Sequence, residues 1–436
     1  MSVYPRNLSN FLNRMSGYNK NSVKMNVLGS SDAKSGDVIQ VDLPTNSIVD
    51  LSSLAWSFDC EFNAKGLVHT KKARLPTNCE SIIERLAIEV NGQTLVNMTN
   101  YNTLYHALLY MTATDDYIRH RRVGQTNHTT GEAGGFPEEI VGDNAADLAA
   151  SAIKKRRHII DTWLGFLGSA KPNFIDTSLL GNVRISITLA PGSIIHNVDS
   201  SDAALTSEFT LSSQYFSIDV VSISDGIYDA MVDQMLASGA PIEIPFKNYF
   251  AFQGSGGTGQ LAFNVASQSI DRLWGLSRTT ANHYSNAHIG APAPVKNIGT
   301  QGITTTTTGD FTFNSSTQSD FQFQVNNTLY PQWSSTKEQD WYQHTKLALG
   351  DQGNMLAGSF VTCPAAYKEN FFVYACQLEH RTDGDERFVS GIDTRGSAAQ
   401  CYWNWKNPAA DNTNLVFAEC TSLLRVFSNK VLEVVQ

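Results

Sequence analysis

The strongest constraint on this chain is a set of short landmarks that recur, in the same order, in its two halves. A strand ending in Pro stands at Val41-Asp42-Leu43-Pro44-Thr45-Asn46 and again at Ile242-Glu243-Ile244-Pro245-Phe246-Lys247-Asn248. A strand running into a tight Asn turn stands at Leu86-Ala87-Ile88-Glu89-Val90-Asn91-Gly92 and again at Phe321-Gln322-Phe323-Gln324-Val325-Asn326-Asn327. A helical segment follows each turn. Ile-Asp-Thr then stands at Ile175-Asp176-Thr177 and at Ile392-Asp393-Thr394. The shared order implies two β domains of one architecture joined head to tail.

A chain of 436 residues exceeds one ordinary core, since domains typically hold roughly 100–200 residues. The repeat places the domains at 37–222 and 241–436, with a basic arm at 1–36 and a connector at 223–240. Only 17% of residues are charged, and the Thr- and aromatic-rich remainder suits a pleated, half-buried surface. The net charge of −9 argues against a surface that grips nucleic acid throughout. No apolar run is long enough for a membrane helix, and the first residues lack the apolar core of a secretory signal. The 6 cysteines form no CxxC pair and read as buried thiols of a protein made in a reducing cytoplasm.

Residues 1–30 carry Arg6, Arg14, Lys20 and Lys24 and no acid, which reads as a flexible arm suited to an anionic surface. Leu54, Trp56, Phe58, Cys60 and Phe62 alternate with polar residues, the pattern of a half-buried strand. Asn91-Gly92 supplies the positive φ angles of a tight hairpin. A helix is expected at 100–111, with Tyr101, Leu104, Tyr105 and Leu108 on one face. The clearest helix carries Ile227, Tyr228, Met231, Val232, Met235 and Leu236 on one stripe, capped by Ser224 and ended by Gly239 and Pro241. It reads as the connector that packs one domain on the other. Ser335-Thr336-Lys337-Glu338 reads as a capping box opening another helix. Two long surface excursions are expected, at 112–157 and 278–310.

Catalytic chemistry is scarce. Gly254-Ser255-Gly256-Gly257-Thr258-Gly259 fits the dinucleotide pattern, but the strand-like Gln260-Leu261-Ala262-Phe263 follows it where a helix is needed. It reads as a glycine-rich hairpin. The 10 histidines form no HxxxH pair, and Asp383-Gly384-Asp385-Glu386 lacks the ligand spacing of a calcium loop. The basic runs Arg119-His120-Arg121-Arg122 and Lys154-Lys155-Arg156-Arg157-His158 suit a polyanion as well as a solvated loop or strand end. No catalytic, cofactor-binding or metal-ligating residue is assigned, no cofactor is expected, and the chain reads as a structural protein rather than an enzyme.

Four stretches carry a family resemblance. They are Gly36-Asp37-Val38-Ile39-Gln40-Val41-Asp42-Leu43-Pro44-Thr45-Asn46 with Asp50-Leu51, Asp176-Thr177-Ser178-Leu179-Leu180-Gly181, Phe323-Gln324-Val325-Asn326-Asn327-Thr328-Leu329-Tyr330-Pro331, and Ser390-Gly391-Ile392-Asp393-Thr394-Arg395-Gly396. From about Gly36 onward the chain resembles the double jelly-roll major capsid proteins of the adenovirus, tectivirus and Polinton-like virus lineage. The resemblance implies an all-β chain of two tandem eight-stranded jelly rolls with a few short helices in the connections. It implies homotrimeric, pseudo-hexagonal capsomers that tile an icosahedral shell in the virion, from a protein made in the host cytoplasm. The implied partners are the chain itself as trimer and neighbouring capsomers, penton and minor capsid proteins, and an internal membrane or the genome through the basic arm. A host receptor is a further partner to be tested.

A carbohydrate- or receptor-binding β-sandwich, fibre- or lectin-like, is the rival reading, in which Trp333, Trp341, Trp403 and Trp405 would stack on sugars. A β-rich glycoside hydrolase is a third.

Overall fold

The computed structural model describes residues 18–64, 72–74, 79–112, 140–141, 155–194, 196–197, 207–223, 227–237, 239, 241–279, 313–349, 364–379, 391–396, 400–427 and 431–436. In the first half the strands are β1 (Tyr18–Asn26), β2 (Ala33–Lys34), β3 (Val38–Asp42), β4 (Ile48–Ala64), β5 (Lys72–Arg74), β6 (Ile83–Val90), β7 (Gln93–Thr99), β8 (Ile140–Val141), β9 (Lys155–Ile160), β10 (Phe174–Asp176), β11 (Val183–Leu189), β12 (His196–Asn197) and β13 (Ser207–Ile223). Helices α1 (Tyr101–Thr112), α2 (Phe166–Ser169) and α3 (Thr177–Leu180) interrupt them, and α4 (Ile227–Ala237) follows. The second half holds β14 (Ile242–Ser255), β15 (Gln260–Asn264), β16 (Ile270–Thr279), β17 (Ser319–Val325), β18 (Thr328–Tyr330), β19 (Val373–Gln377), β20 (Gln400–Lys406), β21 (Asn412–Val426) and β22 (Leu432–Val435), with α5 (Glu338–Ala348) and α6 (Pro364–Asn370) before β19.

Each half pairs its strands in the same two-sheet order. In the first, β1-β13-β4-β10 forms one sheet, with β9 beside β4, and β3-β11-β6-β7 forms the other. In the second, β14-β21-β16-β19 and β15-β20-β17-β18 repeat that order, with β19 in the place of β9 and a bridge from Ile392 to Ile270 in the place of β10. The main ladders are antiparallel, and no described strand of one half pairs with a described strand of the other. This is the jelly-roll sandwich twice over.

Alternation builds the core between the sheets. Leu54, Trp56, Phe58 and Cys60 on β4 are fully buried, and Trp56 stacks on Phe216 of β13 with centroids 5.6 Å apart. In the second roll Phe321 gathers Trp341, Phe372, Tyr374 and Trp403 around its ring. Gly275 on β16 lets Trp403 of the facing sheet approach closely, since a Cβ there would lie 2.7 Å from the indole.

The Asn turns behave as expected. Asn91 and Gly92 both have positive φ and join β6 to β7, and Asn326, also at positive φ, joins β17 to β18. The helices that follow are α1 and α5. Helix α1 is not one-sided: Asn102, Thr103 and His106 are buried along with Tyr101, Leu104 and Tyr105. The Ser335 hydroxyl bonds the Lys337 N–H at 3.0 Å and the Asp340 carboxyl, while Glu338 pairs with Lys368, so the capping box has rearranged partners.

Three expectations are corrected. Residues 18–26, assigned to the arm, form β1, the edge strand of the first roll's larger sheet, paired along its length with β13. The sequence hid this strand because its outward positions are Lys20, Ser22, Lys24 and Asn26. The two Pro landmarks are not counterparts: Val41 lies on β3 of the smaller sheet, whereas Ile242 opens β14 of the larger one. The glycine-rich stretch is not a hairpin. It is a turn that carries the chain from β14 in one sheet to β15 in the other. The basic run at 119–122, the acidic run at 383–386 and most of both excursions lie outside the described residues. The first excursion leaves from α1 and the second from β16, so they are not equivalent loops.

Candidate functional site

The features with chemistry to offer are the faces through which the two rolls meet. One end of each roll is a compact base, bonded alike in both. The Thr177 hydroxyl lies 2.7 Å from the Pro44 carbonyl and accepts from the Ser47 N–H at 3.0 Å. The Thr394 hydroxyl lies 2.7 Å from the Val265 carbonyl and accepts from the Ser267 N–H at 3.1 Å. Both threonines are buried. The preceding aspartates each cap a turn, Asp176 accepting from the Ser178 N–H and Asp393 from the Arg395 N–H. The N–H groups of Asn91 and Asn326 close the same end onto the carbonyls of Asn182 and Gln400. Ile-Asp-Thr is thus one structural device used twice.

At the opposite end of the first roll, three loops contribute one short strand each to a small sheet, β12-β5-β8. The first excursion passes through that end, since β8 lies within it.

Just above each base sits a lysine socket. Ile175 pairs with Val49, and Ile392 with Ile270, which fixes the equivalence of β4 and β16. The next residue is an aspartate in each, Asp50 and Asp271. In the first roll Lys20 of β1 reaches Asp50 at 2.9 Å and Asp219 of β13 at 3.0 Å. In the second, Lys247 of β14 reaches Asp271 at 2.8 Å, and Glu419 of β21 stands where Asp219 stands. The register agrees: Lys20 lies opposite Val221, and Lys247 opposite Thr421.

The two sockets differ in cover. In the second roll a β-bulge between Ile270 and Arg272 turns two successive charged side chains to one face. Arg272 bridges Glu379 at 2.6 Å and Glu419 at 3.2 Å, and the Trp274 indole donates to Glu419 at 2.9 Å. The Asp271 side chain is only 2% exposed and the Lys247 side chain 21%. Burial opposes the charge on Lys247, but the carboxylates of Asp271, Glu419 and Glu379 outweigh it and hold its pKa up. Burial pushes the Glu379 carboxyl up further than Arg272 and Lys247 pull it down.

In the first roll the Lys20 side chain is 39% exposed. The hydrogen bonds to Asp50 and Asp219 hold its pKa above the usual lysine value. Burial raises Asp50, but bonds from Ser52 and Lys20 outweigh it and leave the carboxyl below its ordinary value. Along the same outer face Lys24 sits 4.4 Å above the Tyr215 ring, and Arg157 pairs with Asp59 at 2.5 Å.

The strand that carries Lys247 also bears the first roll. The Lys171 N–H donates to the Pro245 carbonyl at 3.0 Å, and the Lys247 N–H to the Ser169 hydroxyl at 2.8 Å. Pro245 is tolerated because β14 is an edge strand. Phe166 of α2 meets Phe246 edge to face at 5.2 Å. Strand β7 and Tyr101 complete this seam against β14. The α4 stripe was expected to carry the seam. Among its described side chains, Tyr228 donates to Asp176 of the first roll at 3.1 Å, and Val232 and Leu236 are half-buried. The side chains of Ile227, Met231 and Met235 lie outside the described residues, as does Ser224.

Other sequence candidates disperse. Trp341, Trp403 and Trp405 are buried in the core, which removes the sugar-stacking row; Trp333 alone of the four is open, at 54%. Among the described residues no three His, Cys, Asp or Glu side chains gather as metal ligands. Cys376 and Cys420 are both pushed up to about 12 by burial, and none of the described cysteines is in a disulfide. Of the second basic run, Lys155, Arg156, Arg157 and His158 lie on β9 beside β4. Sequence reasoning missed the sockets. Their one local signal is Lys-Asn at 20–21 and 247–248, which is too short to stand alone.

No family model matches the chain, and no curated protein matches it. Solved structures do. A capsid structure of the virus PBCV-1 is similar over 100% of this chain and 99% of its own, at 13% identity and a TM-score of 0.62. The major capsid protein of Faustovirus is similar over 98% and 92%, at 9% identity and a TM-score of 0.61. A structure of the Sputnik virophage is similar over 96% and 88%, at 12% identity and a TM-score of 0.54. The chain therefore has the double jelly-roll fold of viral capsid proteins.

Proposed function

We propose that this chain is a major capsid protein, a structural component of an icosahedral virion and not an enzyme. The observation that carries the reading is the duplication itself. Two rolls with one strand order, one base and one lysine socket give each chain two similar wedges, and three chains give six. A threefold ring of such chains has a near-hexagonal outline, and hexagons tile a closed shell. The contacts are heterologous and close by rotation. The full-length likeness to capsid structures of PBCV-1 and Faustovirus supports it.

In this reading 1–17 is the arm, 18–223 the first roll, 227–237 the connector and 242–436 the second roll. The arm reaches the genome or an internal membrane, other proteins fill the vertices as pentons or minor capsid components, and the long loop segments meet the host. A lineage shared with Polinton-like viruses belongs to the same proposal.

Light scattering on the purified protein, with micrographs of the same peak, tests the reading. A particle of three chain masses, each 47.8 kDa, with a hexagonal outline is expected. A protein that stays monomeric alone and with its virion partners would overturn it.

A further inference from the structure

The two lysine sockets occupy equivalent places, yet only one is covered. The Lys247 socket is closed by Arg272, Glu379 and Trp274, on a strand against which the first roll of its own chain packs, while the Lys20 socket is open on the outer face of β1, β13 and β4. The surface that packs on that strand also exists twice. In the first roll it comprises β7, the turn into α1 beginning at Tyr101, and α2. Tyr101 there is wholly buried. Helix α1 corresponds to α5, so the counterparts of β7 and of the turn into α1 are β18 and the segment between β18 and α5; the counterpart of α2, between β19 and Ile392, lies mostly outside the described residues. In the segment after β18 Trp333 is bare, 54% exposed. The Trp333 ring rests only against His344, with centroids 4.9 Å apart among the described ring contacts.

We infer that the Trp333 surface of one copy covers the Lys20 socket of the next copy, repeating between chains the contact that β7 and the turn into α1 make with β14 within a chain. This rests on the capsomer reading and adds which faces meet. A bare tryptophan next to an edge is the kind of side chain that dominates an interface when desolvated. The opposing face offers Lys20, Lys24 and the Tyr215 ring, polar groups already paired within their own roll, so covering them strands few partners. The contact is head to tail. The ring then alternates intrachain and interchain seams, and the capsomer reading sets its closure at three chains.

A photo-reactive benzoylphenylalanine in place of Trp333 tests this in the full chain. The position is exposed and stays aromatic, so folding is preserved. Irradiated trimer should give covalent two-chain species whose joined peptides contain residues 18–26 or 215–222 of the other copy. Lys20→Glu sets a third carboxylate beside Asp50 and Asp219, so it is measured at a temperature where its monomer remains folded; there it should weaken trimer association at least about tenfold. Trimers whose cross-links map to another surface, or stay within one chain, would overturn this inference and leave the capsomer reading standing. Trimers unaffected by Lys20→Glu would also overturn it. A protein that never forms trimers would overturn both.

Discussion

Thr177 and Thr394 each hold a base together through one hydroxyl, shared between a carbonyl and an N–H of the adjoining loop. Replacing either by Val leaves those buried groups unpaired, and each change should cost about 1–3 kcal/mol in chemical denaturation. The two losses should be alike, since the geometry is. The sockets should not respond alike. Lys247→Met strands Asp271 in a place that is 2% exposed, and breaking such a pair costs about 3–5 kcal/mol. Lys20→Met should destabilise the isolated chain less, because the Lys20 side chain is 39% exposed and Asp219 beside it 25%, although Asp50 is 7% exposed. Acid should weaken the fold through its outer carboxylates. The Arg184 guanidinium holds Asp42 below its ordinary value, and Arg157 does the same for Asp59. A depressed folded-state pKa means the unfolded chain binds protons first, so this stability is present at neutral pH and is lost as pH falls below about 4. Glu379, raised by burial, acts in the opposite sense, its contribution being lost as pH rises through its folded pKa. Unfolding midpoints from pH 3 to 7 should therefore fall on the acid side, and Asp42→Asn with Asp59→Asn should flatten that limb. The Ile-Asp-Thr pairs were legible because each device sits in three adjacent residues. The sockets were not, because Lys20, Asp50 and Asp219 meet only once β1, β4 and β13 are side by side.

At the scale of elements, the seam rests on α2 against β14. Phe166 is fully buried and meets Phe246 across it, so Phe166→Ala should cost about 3–5 kcal/mol. It should also split a single calorimetric transition into two, as the rolls unfold separately. An unchanged single transition would show that the seam does not couple them. Strand β1 makes a second prediction. Deleting 1–17 should leave stability intact, whereas deleting 1–30 removes an edge strand and Lys20 and should lower the melting temperature markedly. Strand β4 could be read from sequence because its inward residues are large and its alternation is clean. Strand β1 could not, since Met25 is the single buried side chain it supplies among its described positions. Position in a sheet also escaped the sequence: a strand ending in Pro reads the same on β3 and on β14. Only pairing distinguishes them, and pairing is decided by partners more than 100 residues away, as Lys247 and Thr421 show.

For the whole molecule, one chain contains both the repeated unit and an example of how two such units join. The bases lie on the same side, since Lys171 beside one meets Pro245 near the other, so the rolls stand the same way up. That arrangement would let a single seam geometry serve within and between chains in the proposed capsomer, and would give its threefold ring a near-sixfold outline. The open Lys20 socket and the bare Trp333 are the two faces that the proposed contact between copies would bring together. A single-particle reconstruction of the purified protein examines this most directly. Three copies should form a ring of six similar wedges, with intrachain and interchain seams alternating and the outer face of β1 covered. A monomer, or a trimer joined through other faces with the β1 surface open to solvent, would contradict it.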